Sequence, residues 1–169
     1  MSKLTARAWL AALLLMLTGG IASAQTVERI DLLDYGLYRA TRTGDNAAPG
    51  TATGTLHVVG DVTFYEKTTR VPARLGTRFG IRFVVVGSPA GQKVTLLQGW
   101  KLPPAGLRNP KTGVLYFEEG SPTVKTIGEP TMRGYSFDEP WELVTGDWTM
   151  ELWSGNRKLL SKTFTVYAP

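Results

Sequence analysis

The stretch Gly146-Asp147-Trp148-Thr149-Met150-Glu151-Leu152-Trp153-Ser154-Gly155-Asn156-Arg157-Lys158-Leu159-Leu160-Ser161-Lys162-Thr163-Phe164-Thr165-Val166 decides the fold. Trp148, Met150 and Leu152 alternate with Thr149, Glu151 and Trp153, and Leu160, Phe164 and Val166 share one parity beyond the Gly155-Asn156 pair. Successive side chains of a strand point to opposite faces, so each run carries one apolar face and the two together read as a β-hairpin. A two-residue loop at Gly155-Asn156 opposes Trp148 to Thr163 and turns Phe164 away from it, because a slip of one residue exchanges the faces of a strand. A three-residue loop, Gly155-Asn156-Arg157, opposes Trp148 to Phe164 and Leu152 to Leu160. It uses Gly155 or Asn156 as the αL residue such loops require, and is the register expected. Lys162 then faces Met150 and must extend its amine to an edge.

Upstream, short runs rich in Val, Thr, Phe, Tyr and Trp are punctuated by Gly, Pro, Asn and Asp, with no long helical stripe. Val27 to Ala40 reads as a first strand, with Gly36 between Tyr35 and Tyr38 marking a bulge or a close backbone contact. Thr41 to Thr53 is polar and reads as a mobile loop. Thr55 to Val59 and Val62 to Thr68 flank Gly60-Asp61, which predicts a tight hairpin. Arg78 to Val86 alternates, with Phe79, Ile81, Phe83 and Val85 on one face. Val94 to Trp100 is a further strand, Pro103-Pro104 stops regular structure, and Asn109-Pro110 signals a turn. Val114 to Phe117 and Met132 to Phe137 are shorter strands, separated by a segment punctuated at Ser121-Pro122 and Glu129-Pro130.

At the start of the chain Lys3 and Arg7 precede the apolar run Ala8 to Leu17, and Ala22-Ser23-Ala24 follows it. A positive start, a short apolar run and small residues before a cut are what an export signal requires, so residues 1–24 read as a signal peptide cleaved after Ala24. The run is shorter than the roughly 20 residues that span a bilayer, which excludes a membrane span as the expectation. Cleavage removes two basic residues, so the net charge of +5 falls to +3, and 169 residues less 24 leave one domain over residues 25–169. A chain of that length buries roughly 68 to 70% of its unfolded surface. There are no cysteines, so packing alone must hold an exported domain that would have been permitted disulfides. The same absence removes thiolate nucleophiles and Cys-based metal sites, and no cofactor is expected.

About eight antiparallel strands, each with one apolar face, predict an all-β immunoglobulin-like sandwich, with an eight-stranded closed β-barrel as the alternative. Tyr35-Gly36-Leu37-Tyr38, Val71-Pro72-Ala73, Phe79-Gly80, Trp141-Glu142-Leu143 and Gly146-Asp147-Trp148, closing with Leu159 and Phe164-Thr165-Val166, resemble a family of exported bacterial domains known as domain of unknown function 3859. The resemblance spans nearly the whole mature chain. It implies an exported sandwich with no established activity and supplies no site residues. It also argues against lipocalins, whose Gly-x-Trp motif lies near the start of the domain rather than its end.

His57, the single histidine, stands mid-strand with no Gly-x-Ser-x-Gly elbow anywhere in the chain, so a surface role is expected rather than a triad. Glu118-Glu119, Asp138-Glu139, Glu129 and Glu142 are the candidates for a pair of hydrolytic carboxylates, but adjacent residues on a strand point to opposite faces. No Asp-rich loop has calcium-binding spacing. Arg70, Arg74, Arg78 and Arg82 recur every fourth residue, a spacing that would align them along an extended chain were it not for Pro72 and Gly76. The binding candidates are Arg78 and Arg82 from this series and the aromatics whose burial parity does not demand, Trp100, Tyr116, Trp141 and above all Trp153. The expected function is therefore a non-catalytic periplasmic or secreted module, binding an envelope protein or polymer but not nucleic acid. A carboxylate-dependent hydrolase of an envelope polymer and, within a barrel, a small-ligand carrier are the rivals. The oligomeric state is not legible.

Overall fold

The computed structural model describes residues 25–169, so the expected signal peptide lies outside the described residues. The described residues form eleven strands and one short 3-10 turn: β1 (Thr26–Ala47), β2 (Thr55–Glu66), β3 (Arg70–Pro72), β4 (Arg78–Ser88), β5 (Lys93–Lys101), β6 (Leu107–Arg108), β7 (Leu115–Tyr116), β8 (Glu118–Thr126), β9 (Pro130–Ser136), the turn Pro140–Glu142, β10 (Gly146–Ser154) and β11 (Arg157–Tyr167). Sheet A has the order β2-β1-β4-β9 and sheet B the order β3-β11-β10-β5-β8, while β6 and β7 make a two-residue ribbon. Both sheets have free ends, so this is a sandwich and not a closed barrel. Among the named strands every pairing is antiparallel except β3 with β11, where Arg70 to Pro72 run parallel to Thr165 to Tyr167.

The closing hairpin has the expected register, with Trp148 opposite Phe164 and Leu152 opposite Leu160. The loop itself is two residues, since Ser154 pairs with Arg157 and Trp153 with Lys158. The extra residue is a bulge at Leu159 that restores the parity. Lys162 does face Met150, and its ammonium rests 3.5 Å from the centre of the Tyr35 ring.

Inward residues of both sheets meet in an aromatic core. Phe79 lies 5.3 Å from Trp100 and from Phe164 and 6.1 Å from Trp148, while Tyr135 lies 4.9 Å from Trp148, mostly edge-on. Edge-to-face packing matches ring edges to π faces, adding ~0.5–1.5 kcal/mol per pair beyond burial. The Trp148 indole N–H donates to Val144 O at 2.9 Å, so the ring is buried without an orphaned donor.

Two expectations for the first third of the chain are corrected. Thr41 to Ala47 continues β1, and Gly60-Asp61 makes no hairpin turn, because β2 runs unbroken through it. Asp61 adopts φ 52° within a bulge, where Asp61 and Val62 of β2 stand against Ala40 of β1. Further irregularities fall between Leu37 and Tyr38 and between Arg42 and Gly44. Bulges bend and twist a ribbon. Beyond Leu37, where pairing with β4 ends, the β1–β2 hairpin therefore leaves sheet A as an arm. Gly36 is the joint. Its φ is 132°, and a Cβ there would strike Glu66 O. Across the sheet Gly36 pairs with Gly80 and Gly80 with Gly134. This bare row lets the Tyr38 ring lie on β9, where a Cβ on Gly134 would sit 2.5 Å from its hydroxyl.

Two further strands differ from expectation. Ser121-Pro122 lies inside β8 and Pro130 begins β9. Both are edge strands, where a missing N–H leaves no central ladder incomplete.

Candidate functional site

Two surfaces collect chemistry. The first is the outer face of sheet B, where Trp153 pairs with Leu97 and Leu97 with Pro122. Leu97 and Val124, diagonal neighbours on the same face, are 49% and 59% exposed, unusual for aliphatic residues beside one another on a sheet. Gly99 and Gly120, also paired, form the floor of a groove of about 710 Å³ that Trp153, Glu118, Lys101 and Glu151 border. Glu151 orders this face. It accepts from Trp153 Nε1 at 3.0 Å and Lys158 Nζ at 2.8 Å, and Lys101 Nζ stands 3.5 Å away. Burial raises the Glu151 carboxyl, but those donors outweigh it and hold the carboxyl below its usual range. The Lys158 ammonium also covers the Trp153 ring at 5.2 Å.

The other sequence candidates do not join Trp153. Trp100 is 1% exposed and belongs to the core, correcting its place among surface aromatics. Val94, Leu96 and Trp100 share a parity that already implied this, and polar Gln98 in the same series obscured it. Trp141 is half-buried on the 3-10 turn and Tyr116 half-buried on β7, both packed against the core. Arg78 donates to Ala40 O, and Arg82 donates to Val62 O at 2.9 Å and lies over Phe64 at 5.6 Å. Both guanidiniums fasten β4 to the β1–β2 ribbon rather than forming a basic stripe. Arg70 is apart from them, over the Tyr167 ring.

The second surface gathers residues that the sequence offered only singly, among them Glu119, Glu142 and His57, and adds Lys125 and Arg133, which it did not offer. Inward positions of β8 and β9, the edge strands on one flank of the sandwich, are polar: Glu119, Thr123 and Lys125 on β8, and Thr131 and Arg133 on β9. Registers settle the parity, since Trp100 pairs with Glu119, Val94 with Lys125 and Ile81 with Arg133. Lys125 Nζ donates across the seam to Thr131 Oγ1 at 3.0 Å. The arm crosses β9 and closes this flank. Gly120 N–H donates to Gly50 O at 2.9 Å, Ala52 N–H to Glu119 Oε2 at 2.7 Å, and Asn109 Nδ2 to Ala52 O at 2.7 Å. Farther along, His57 Nδ1 is 2.7 Å from Asp45 and Nε2 is 2.6 Å from Asp138. Each ring nitrogen has a carboxylate oxygen within hydrogen-bond reach, one on the arm and one on the body. His57 is thus a latch between arm and body, only partly the surface residue expected.

Between arm and seam lies a cleft of about 300 Å³. Within it, burial raises the carboxyls of Glu119 and Glu142 and lowers Lys125 and Arg133. Burial also pushes the Tyr38 phenol up to about 12. Glu142 accepts from the backbone of Asp138 and Glu139, each at 2.7 Å, and from Tyr135 Oη at 3.0 Å. Gln98 is 1% exposed, and neither its amide oxygen nor its amide nitrogen has a partner in the protein. Among the described residues no group of three or more His, Asp or Glu is placed to hold a metal ion, and no helix is long and apolar enough to cross a membrane.

The family model described as a domain of unknown function, DUF3859, matches residues 26–166. The chain belongs to this family. As a DUF3859 domain it is similar to the crystal structure of an immunoglobulin-like protein from Pseudomonas aeruginosa, 26% identical, with a TM-score of 0.56, covering 88% of this chain and 100% of that one. It is also similar over 59% of its length, and 28% of the other chain, to an alkylpurine DNA glycosylase from Pseudomonas fluorescens bound to DNA containing an abasic site analog. That likeness, at 16% identity and a TM-score of 0.41, carries no argument. No curated protein matches the chain.

Proposed function

We propose that this DUF3859 domain is a non-catalytic binding module of the bacterial cell envelope, and that it takes a protein partner on the outer face of sheet B with Trp153 at the centre. The observation that carries the reading is the alignment of Leu97 and Val124, each about half exposed or more, beside Trp153 and a glycine-floored groove. Clustered exposed apolar groups around a tryptophan, rimmed by charge, are what interfaces are made of. A row of Leu97, Pro122 and Val124 next to one indole suits aliphatic side chains better than sugar hydroxyls, so the partner is a protein rather than a glycan. Export to the envelope rests on Lys3, Arg7, the apolar run Ala8 to Leu17 and Ala22-Ser23-Ala24.

The observation on the side of a hydrolase is that Glu119 and Glu142 line one cleft. Against it, Glu142 spends both oxygens on three hydrogen bonds that shape the 3-10 turn, and Glu118 and Glu119 occupy opposite faces of β8. A photo-crosslinking residue at position 97, compared in living cells with one at the equally exposed Leu75, tests the binding reading. One protein adduct formed at position 97 alone and lost with Trp153→Ala is the expected result. Equal labelling at both positions, or a glycan adduct, would defeat it.

A further inference from the structure

We propose that the cleft beneath the β1–β2 arm is a binding site for a small carboxylate that also carries a hydroxyl or amino group, with Arg133 and Gln98 as the recognition pair. Gln98 supplies the first observation. It stands on β5, an interior strand flanked by β10 and β8, between core residues Leu96 and Trp100, yet both polar atoms of its amide are sealed from solvent without a protein partner. A buried amide left unpaired opposes folding, and leucine would fill the same place without that cost. Arg133 supplies the second. Its Nε is likewise sealed and unpartnered, and among the described residues its guanidinium has no ion pair.

Inward charges on edge strands discourage sheet-to-sheet aggregation, which accounts for Arg133 on β9 and Lys125 on β8. It does not account for Gln98, which is on no edge. Both residues line the same cleft of about 300 Å³, at the small end of ligand pockets. Its floor is buried Gln98, Glu119 and Tyr135, while Arg42, Asn46 and Thr53 at its border are exposed, so it opens beside the arm.

The ligand class follows from the donors. A guanidinium edge matches a planar carboxylate with two parallel bonds. The Gln98 amide donates and accepts at once, which suits a neighbouring hydroxyl or amino group. The carboxyls of Glu119 and Glu142 border the same space, disfavouring a doubly charged oxyanion such as phosphate and favouring a ligand with a donor on that side.

Calorimetry on the full mature chain with lactate, glycine, acetate, inorganic phosphate and glycerol as probes tests this. Saturable binding of lactate or glycine is expected, weaker binding of acetate, and none of phosphate or glycerol. Gln98→Leu and Arg133→Met are each expected to weaken the best probe about tenfold or more, while Gln98→Leu melts above the unaltered protein without ligand. Trp153→Ala is expected to leave this binding unchanged, which separates the cleft from the outer face. Should a variant not fold, the side-chain amide and guanidinium N–H signals of Gln98 and Arg133 in the unaltered protein must shift on titration with the bound probe. No saturable binding by lactate or glycine, preferential binding of phosphate, or a lower melting point for Gln98→Leu would each overturn the assignment.

Discussion

The two flanks of this sandwich are filled by opposite means. Around Phe79 the sheets meet through rings, with Trp100, Trp148, Phe137 and Phe164 within about 6 Å of it and every one buried. At the flank between β8 and β9 the same two sheets meet through Glu119, Thr123, Lys125, Thr131 and Arg133, and a long arm is folded over the seam. Apolar burial and dispersion hold the first flank; directed hydrogen bonds and charge hold the second. A chain that needed only stability would continue the aromatic filling outward. The polar flank is therefore the part that pH and single polar substitutions should move most, and the part the cleft proposal rests on.

The largest contrast comes from the aromatic side. Trp148→Ala removes a ring with no solvent exposure and leaves Val144 O without its donor, so a loss of about 3–5 kcal/mol is expected in chemical denaturation. An unchanged midpoint would mean that the hairpin parity, and with it the location of the core, is wrong. An intermediate effect is expected at the joint between the two regions. Gly36→Ala puts a Cβ against Glu66 O at a backbone angle that L residues avoid, at a cost of about 1–3 kcal/mol. Hydrogen exchange should show the loosening first in residues 38–66, with the Trp148 strand protected as before.

That asymmetry also explains what could be read in the sequence. The hairpin register followed from Trp148, Leu152, Leu160 and Phe164, because apolar parity is a local signal and the core lies on the parity it marks. Gly36 was legible as a close backbone contact for the same local reason. Gly60-Asp61 misled because a positive φ serves a bulge as well as a turn, and only the partner strand decides which. Trp100 was misplaced through Gln98, a polar residue on a core parity. That interruption was itself a sign of the cleft. Glu119 and Glu142 stood out only as carboxylates, and Arg133 gave no sign, since which strands become edges is a property of the pairing and not of any one segment.

The carboxyls sharpen the comparison through pH. Burial raises Glu119 in the folded state, so its protonated form favours folding at low pH. That contribution is lost as pH rises from the ordinary carboxylate range through the raised folded value. Asp45 behaves in the opposite sense. Hydrogen bonds from Arg42 first and then His57 hold it at about 2, so its contribution is full above the ordinary carboxylate range and disappears as pH falls through about 2. Thermal melts should therefore show Glu119→Gln more stable than the unaltered chain at pH 7, the difference closing toward pH 4. The glutamine oxygen still accepts from Ala52 N–H. A constant difference across that range would mean that Glu119 does not titrate there and that burial does not set its ionisation.

The smallest effect concerns the latch. His57 is partly exposed and bridges Asp45 on the arm to Asp138 after β9, and solvated contacts of this kind contribute little to global stability. His57→Ala should hardly move the global midpoint, because the arm retains Ala52 on Glu119 and Gly50 on Gly120. What it should change is local: faster amide exchange over residues 44–58, greater in 1 M salt than in 0.1 M for the unaltered chain and insensitive to salt in the variant. Only an arm pinned by charge gives that dependence. Equal exchange in both chains would place the arm's anchorage wholly in its backbone contacts with β8, and make the imidazole a surface residue after all.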